Sequence, residues 1–170
     1  MGVSGCGKTT VGKLLAKRLK AEFLEGDELH PPRNVERMAS GIALTDNDRR
    51  DWLREIAQQL ADAHAAGHDL VVSCSALKKS YRNVLRSASA SLAFVHMDAS
   101  PELLAARLDA RVGHYMPASL LESQLQILEP PGPDERAVAI NANQPAAQIA
   151  EQAAAWLAAL PPPAPTKAKR

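Results

Sequence analysis

Short apolar runs alternate along this chain with longer segments in which apolar residues recur at helical spacing. Val11, Leu14, Leu15 and Leu19 follow the helical period, whereas residues 21–24 form a short apolar run that ends at Glu25. The pattern predicts further strands from Leu70 to about 75, at 92–97 and at 138–140, and helices near 31–41, 45–67, 78–86, 100–108, 119–128 and 145–160. Regular alternation of this kind predicts an α/β fold, with a mostly parallel sheet and helices on both faces.

Several residues mark where the predicted helices begin and end. Pro31 and Pro32 open one short helix and Gly41 ends it. Thr45 or Asp46 can cap the long helix that follows. The segment 100–102, Ser-Pro-Glu, is a typical helix start, because it combines a capping residue with a proline and an acid in the first turn.

The segment Gly2–Thr9 is a complete phosphate-binding loop of the form G-x-x-x-x-G-K-[ST]. Its glycines allow consecutive backbone N–H groups to face a phosphate chain, and the following helix adds its positive N-terminal dipole. A flexible glycine turn is the structural alternative. We expect Lys8 to bridge the outer phosphates of ATP as a catalytic residue, and the Thr9 hydroxyl to bind Mg²⁺. The expected ATP contacts in this segment are Gly2, Val3, Ser4, Gly5, Cys6, Gly7, Lys8, Thr9 and Thr10.

The position of this loop raises a question about the first strand. A phosphate loop normally connects a buried strand to a helix, and only Met1 precedes Gly2. We therefore expect the first strand to be missing from the chain as given. Met1 would then be an internal methionine at the end of that strand in a longer natural product. Without a segment in its place, the chain is expected to be poorly stable or inactive.

Polar side chains follow the predicted strands, where parallel sheets place their chemistry. Asp27 can accept the proton of an attacking hydroxyl, although a structural turn aspartate is the alternative. His30 is a candidate substrate contact, or a structural histidine before Pro31. Three cations near the same strand ends suit an anionic substrate group, unless they are only surface charges: Arg49, Lys78 and Arg82.

The region 107–118 carries features of a mobile lid. Arg107 and Arg111 are four residues apart and share a helix face, and Gly113 and Pro117 lie between two helices. We expect Arg111 to neutralise the transferring phosphoryl group as a catalytic residue and both arginines to contact ATP, whereas complementing the helix dipole is the structural alternative. We also place Gln144, from the polar segment after the fourth strand, among the ATP contacts.

Composition sets limits on the remaining classes of function. The 170 residues are 46% hydrophobic and 23% charged with a formal net charge of +1, which gives no indication of a nucleic-acid or membrane partner. Cys6 and Cys74 form neither a disulfide framework nor a metal motif. With no signal peptide, they indicate a cytoplasmic location. We expect one domain over residues 1–160 and a disordered proline-rich and basic tail over 161–170.

Taken together, these stretches resemble the gluconokinases, which belong to the phosphate-loop small-molecule kinases. The matching segments follow in order over residues 2–145: GVSGCGKTT, FLEGDELHPPRNVERMASGIALTDNDRRDWL, CSALKKSYRNVLR, RLDARVGHYMP, LLESQLQILEPPGPDER and INANQP. The resemblance implies a nucleoside-monophosphate-kinase-like fold and transfer of the ATP γ-phosphate, with Mg²⁺, to the 6-hydroxyl of D-gluconate. It also commonly implies a homodimer. Glu25 departs from the family, where aspartate is more frequent.

Other functions remain open at this point. A shikimate kinase would share the loop and the acid, but that family has a glycine run where this chain has Ser73-Cys74-Ser75-Ala76-Leu77-Lys78. A nucleoside monophosphate kinase is less well supported, because few aromatic residues are present to build a base pocket. A non-catalytic nucleotide-binding module, left by truncation, is the alternative from a different class.

Overall fold

The computed structural model describes residues 1–109 and 119–162. Within them, helices and strands alternate as the hydrophobic pattern predicts, and each predicted strand and helix is present. The short 3₁₀ helix Gly26–Leu29, between β1 and α2, was not predicted. The elements are α1 (Lys8–Leu19), β1 (Glu22–Glu25), α2 (Pro32–Ala39), α3 (Asp46–Ala65), β2 (Leu70–Ser73), α4 (Lys79–Arg86), β3 (Phe94–Asp98), α5 (Pro101–Asp109), α6 (Ser119–Ile127), β4 (Ala137–Asn141) and α7 (Ala146–Ala159).

The predicted capping residues act as expected. Of the two candidates, Thr45 is the N-cap of α3: its hydroxyl accepts from the Asp48 backbone N–H, and the Asp48 carboxylate accepts from the Thr45 backbone N–H. Pro32 is the first residue of α2, where its missing N–H costs nothing. Gly41 follows the end of α2 with a φ of 75°, a conformation that glycine adopts without strain.

The strands form two parallel pairs. β1 pairs with β2, and β3 pairs with β4. Among the described residues no strand joins β2 to β3, so a gap in the sheet separates the two pairs. Met1 lies at one end of this gap: its amine donates to the Val95 carbonyl at 2.5 Å, and its carbonyl accepts from the Met97 N–H at 2.9 Å. The expected effect on stability stays a prediction.

Two apolar clusters hold the helices against the strand pairs. In the first, α1 packs on α7 and on the β1–β2 pair, and α7 packs on β4; this cluster includes Val11, Leu15, Ile140 and Ile149. The second packs α3 and α4 beside β2, with Trp52 at its centre and only 1% exposed. Because all four strands are parallel within their pairs, their carboxyl ends lead to the segments that carry the predicted chemistry.

Candidate active site

The phosphate loop folds with its backbone set to receive an anion. Gly5 and Gly7 have φ values of 82° and 98°, in the left-handed region that favours glycine. Gly7 is the N-cap of α1, and since glycine has no side chain, the N-cap residue supplies no capping oxygen to the first amides of the helix. The first turn of α1 also contains no acidic residue. These amides and the helix dipole therefore suit a phosphate group.

Two side chains at the start of α1, those of Lys8 and Thr9, donate hydrogen bonds to nearby groups of the protein. Lys8 Nζ donates to the Val3 carbonyl at 3.1 Å, inside the loop itself. The Thr9 hydroxyl donates to Glu25 Oε2 at 2.5 Å, and Glu25 Oε1 is buried with no hydrogen-bond partner in the part of the chain that is described. Hydroxyl and carboxylate oxygens are ligands that Mg²⁺ prefers, so the side chains of Thr9 and Glu25 fit the expected metal.

Next to the phosphate loop lies a small cavity that is lined by five of the predicted site residues. Its volume is about 30 Å³, enough for about one water molecule. Four of them are Lys8 in α1, Asp27 in the 3₁₀ helix, His30, and Arg49 in α3. Its remaining lining residues are Ser4, Met38, Leu44, Ser75 and Gln124.

His30 is held in place by the aromatic side chain of α3. Its ring stacks on Trp52 with centroids 4.2 Å apart, and Trp52 Nε1 donates to the Gly26 carbonyl at 2.6 Å. Burial, and then the nearby Arg49 guanidinium, lower the pKa of His30 from 6.5 to about 4. His30 is therefore neutral at physiological pH, and its ring can exchange hydrogen bonds but carries no positive charge.

Arg49 is the cation of α3 that faces this cavity. The residue is 9% exposed, and one guanidinium nitrogen donates to the Leu44 carbonyl. The guanidinium also lies 5.8 Å from the centre of the Tyr81 ring. Because arginine has five N–H donors, Arg49 retains donors for a carboxylate after its bond to Leu44.

The structure does not bring Lys78 and Arg82 into this cavity. Lys78 Nζ binds both carboxylate oxygens of Asp46, at 2.8 and 2.9 Å, at the protein surface. Arg82 is fully buried and paired with Glu135 through two hydrogen bonds of 2.7 and 2.8 Å. Because the guanidinium of Arg82 binds a buried carboxylate, the expectation that Arg82 contacts substrate is wrong in this structure, and we assign it a structural role. Lys78 likewise holds α3 to the start of α4.

Only part of the predicted nucleotide side can be described. Arg107 lies against the phosphate loop: its guanidinium donates to the carbonyls of Cys6 at 3.2 Å and Ala142 at 2.8 Å. Gln144 is half-buried, and its amide donates to the Asn141 carbonyl at 2.8 Å. Arg111 and residues 110–118 of the predicted lid lie outside the described residues, as do residues 163–170 of the predicted tail.

Gln124 is a site residue that the sequence reasoning missed. Its side-chain oxygen accepts from the Ser4 backbone N–H at 2.7 Å, which connects α6 to the phosphate loop across 120 residues. Ser75 also lines the cavity without having been singled out. The stretch LLESQLQILEPPGPDER contains Gln124, so its match to the gluconokinase pattern was the signal that could have identified this residue.

The fold and this site define the class of protein. The phosphate loop at the start of α1 lies next to a cavity lined by a carboxylate, a neutral histidine and an arginine. A phosphate loop beside a carboxylate that can accept a hydroxyl proton is the combination that phosphoryl transfer uses. A family model described as an AAA domain matches residues 1–131. Among the described residues, no helix combines the length and the apolar character needed to cross a membrane.

Comparison with individual known proteins identifies the family within this class. A gluconokinase of Gluconobacter oxydans (strain 621H) is 54% identical over 141 residues, which cover 83% of this chain and 79% of that protein. A sugar kinase of Janibacter sp. HTCC2649, solved without ligand, has a TM-score of 0.90 and 45% identity, covering 93% of this chain and 91% of that chain. A gluconokinase structure from Sinorhizobium meliloti 1021 has a TM-score of 0.84 and 48% identity, covering 93% and 89%. This chain belongs to the gluconokinase family.

Proposed function

We propose that this protein transfers the γ-phosphoryl group of ATP to the 6-hydroxyl of D-gluconate and releases ADP and 6-phosphogluconate. The observation that carries the proposal is the cavity beside the phosphate loop, which joins Lys8, Asp27, His30 and Arg49. It is supported by the similarity to gluconokinases over 83% of the chain. Each of the four residues has a separate task in the reaction.

The phosphate loop and Asp27 serve the chemical step. The amides at the start of α1 hold the β- and γ-phosphates, and Lys8 exchanges its bond to the Val3 carbonyl for the phosphate oxygens. The sugar hydroxyl oxygen then forms a bond to the γ-phosphorus while the bond to the ADP oxygen breaks. The hydroxyl proton passes to the Asp27 carboxylate, since Asp27 lines the same cavity as Lys8.

Arg49 and His30 serve recognition of the sugar acid. Arg49 binds the carboxylate through its remaining donors, and the neutral ring of His30 exchanges a hydrogen bond with a sugar hydroxyl. The cavity of about 30 Å³ is too small for a six-carbon acid, so α2 and α3 move away from the phosphate loop when substrate enters.

The proposed metal is Mg²⁺, with Thr9 and Glu25 as the residues that hold it, directly or through water. When bound, the ion neutralises charge on the phosphates as the phosphoryl group transfers. We also propose that Arg111 and Arg107 belong to a lid over the phosphates. Cytoplasmic location, a homodimer and the lack of a nucleic-acid partner complete the proposal, and the net charge of +1 supports the last of these.

The activity is tested by measuring ADP release from ATP with gluconate, with related sugar acids, with shikimate and with no acceptor. We expect ADP release to depend on gluconate. Lys8→Ala is expected to abolish it while the protein stays folded. ADP release that is equal with and without gluconate, or faster with shikimate, would contradict the proposal.

The role of Asp27 is tested with Asp27→Asn, which keeps the shape of the side chain and removes its charge. We expect turnover to fall by about 10²–10⁴-fold, the usual contribution of a general base, while ATP binding is retained. Asp51→Asn, at a side chain that is 73% exposed, is the matched control and is expected to leave turnover unchanged. Equal turnover of the Asp27 variant and the control would reassign Asp27 to the turn structure.

The role of Arg49 is tested with Arg49→Met, compared with Arg50→Met at the exposed neighbouring arginine. A lost charged hydrogen bond costs about 1.5–3 kcal/mol. The KM for gluconate should therefore rise about 10- to 150-fold, with the KM for ATP unchanged. If both variants bind gluconate equally well, the carboxylate is bound elsewhere.

A further inference from the structure

Asn34 of α2 is a buried polar residue beside the proposed substrate cavity, and the reaction described above gives it no task. Its side chain is 0% exposed. The Asn34 Nδ2 donates to the Asp48 backbone carbonyl at 2.8 Å and lies 3.4 Å from His30 Nδ1. Its Oδ1 is buried without a hydrogen-bond partner in the part of the chain that is described. Burying an amide with an unbonded oxygen costs free energy, so packing alone does not explain an asparagine here.

The bond to Asp48 determines which end of the Asn34 amide faces His30. A backbone carbonyl only accepts hydrogen bonds, so the group that meets the Asp48 oxygen is the NH₂ of the amide. The second hydrogen of that NH₂ is available to His30 Nδ1. Reversing the amide would place Oδ1 against the Asp48 carbonyl, and two acceptors would then face each other. His30 Nδ1 therefore faces a donor.

Stacking on Trp52 holds the plane of the His30 ring but does not decide which edge faces Asn34. The two rings lie at an interplanar angle of 13°. A half-turn of the His30 ring about the bond to its Cβ would keep the stacking and exchange Nδ1 for the Cδ2–H group. That C–H group would then face the NH₂ of Asn34, and the bond accepted by Nδ1 would be lost. Asn34 therefore selects the orientation of the ring.

The same contact decides where the proton of the His30 ring lies. Burial, and then the Arg49 guanidinium, lower the pKa of His30 to about 4, so the ring is neutral and carries one N–H. Because Nδ1 accepts from Asn34, that N–H is at Nε2. Among the described residues the hydrogen bonds of this ring involve Nδ1 alone, which leaves Nε2–H for a ligand. Lys8, Asp27 and Arg49 are the charged residues that line the same cavity.

We propose that Asn34 is a positioning residue that fixes the His30 ring with its proton on Nε2, so that His30 donates to a hydroxyl oxygen of the sugar acid. The identity of that ligand rests on the proposed function. Arg49 and His30 then supply two kinds of donor to one cavity, a cation for the carboxylate and a neutral N–H for a hydroxyl. A hydroxyl that accepts from Nε2–H keeps its own hydrogen to donate elsewhere.

The first measurement reads the ring nitrogens of His30 by ¹⁵N NMR in mildly alkaline buffer, with His30→Gln to assign the signals. Protonated and unprotonated ring nitrogens differ widely in ¹⁵N chemical shift, so the spectrum shows which nitrogen carries the proton. We expect Nε2 to be protonated and Nδ1 to be unprotonated, with and without gluconate, and the Nε2 shift to change when gluconate binds. A protonated Nδ1 in the unchanged protein would overturn the proposal, whether or not any variant folds.

Two variants separate control of the proton from packing. Asn34→Asp keeps the shape of the side chain and makes it an acceptor, so the proton should move from Nε2 to Nδ1. Asn34→Leu loses the same bond to the Asp48 carbonyl but places no acceptor against Nδ1. We expect Asn34→Asp to raise the KM for gluconate about 2- to 10-fold above that of Asn34→Leu, with the KM for ATP unchanged. Asn47→Asp, at an exposed position of α3, is the matched control and should change neither the spectrum nor the KM.

The proposal is overturned if Asn34→Asp and Asn34→Leu have equal KM values for gluconate and both keep the proton on Nε2, because Asn34 would then only fill space. Failure of the proposed function gives a different result. The position of the proton is read without substrate, so a protein that has it on Nε2 but does not bind gluconate contradicts the kinase proposal and not the role of Asn34 in fixing the ring.

Discussion

The buried pair of Arg82 and Glu135 gives a direct test of the structural role assigned to Arg82. Both side chains are completely buried, and the guanidinium also donates to the carbonyls of Ala76 and Leu77 at 3.1 Å and of Glu129 at 2.9 Å. Arg82 thus holds α4, the loop before it and the segment after α6 through five hydrogen bonds. The Arg82 guanidinium also lowers the pKa of Glu135.

The change to make is Arg82→Met, which keeps an unbranched side chain and removes the charge. Among the described residues, it leaves the buried Glu135 carboxylate with a hydrogen bond from the Gly132 N–H at 3.0 Å but without its arginine partner. It also leaves the carbonyls of Ala76, Leu77 and Glu129 without this donor. Removing one member of a buried ion pair costs about 3–5 kcal/mol. Whole domains are stable by only about 5–15 kcal/mol, so the variant should lose a large part of its free energy of unfolding.

The assay is urea denaturation followed by circular dichroism, together with the KM for gluconate measured where the variant is still folded. We expect a large drop in the denaturation midpoint and an unchanged KM. Lys79→Met is the matched control, because its ion pair with Asp134 is exposed and contributes about 0–1 kcal/mol. The double variant Arg82→Met with Glu135→Leu should recover part of the loss, since it removes the unpaired charge.

A structural role of Arg82 is contradicted if Arg82→Met unfolds at the same urea concentration as the unchanged protein. That role is also contradicted if the folded variant binds gluconate at least tenfold more weakly, because this result would indicate that Arg82 contacts the substrate. A double variant less stable than Arg82→Met would contradict the view that the unpaired carboxylate is a main source of the cost.

Three further predictions follow from single contacts. Gly12→Ala should lower the free energy of unfolding by about 1–3 kcal/mol, because a Cβ there would lie 2.7 Å from the Phe23 ring. An unchanged denaturation midpoint would mean that the ring moves aside without cost. The pKa of His30 is lowered from 6.5 to about 4 in the folded protein. Between these pH values the unfolded protein therefore binds a proton at His30 that the folded protein does not. Stability should therefore fall as pH drops from 6.5 to 4. His30→Gln should have a shallower dependence in urea titrations over that range, and an identical slope would count against the shifted pKa. Gln124→Ala should reduce kcat/KM by about tenfold through loss of the bond to the phosphate-loop amide. The exposed neighbour Gln126→Ala should not, and equal effects would remove Gln124 from the site.

The sequence was sufficient where a structure depends on a few neighbouring residues. Gly5 and Gly7 supply the left-handed conformations of the phosphate loop, and Thr45 with Asp48 begins α3, all within short stretches of chain. The hydrophobic periods placed each predicted helix and strand for the same reason, because periodicity is a local property. The nucleotide-binding class and the alternation of helices with strands were therefore readable before any contact between distant elements was known.

Tertiary structure decided which of the candidate cations faces the substrate cavity. Arg49 and Arg82 both follow loops at the strand ends, and nothing in their local sequence separates a ligand contact from a buried ion pair. The difference comes from partners far along the chain. Glu135 accepts from the guanidinium of Arg82, whereas among the described residues the Arg49 guanidinium donates to the nearby Leu44 carbonyl and keeps further donors beside the cavity. The contact of Gln124 with the phosphate loop is likewise set by packing between distant segments. A long polar side chain reaches many positions, so only the packed fold determines which partner it meets.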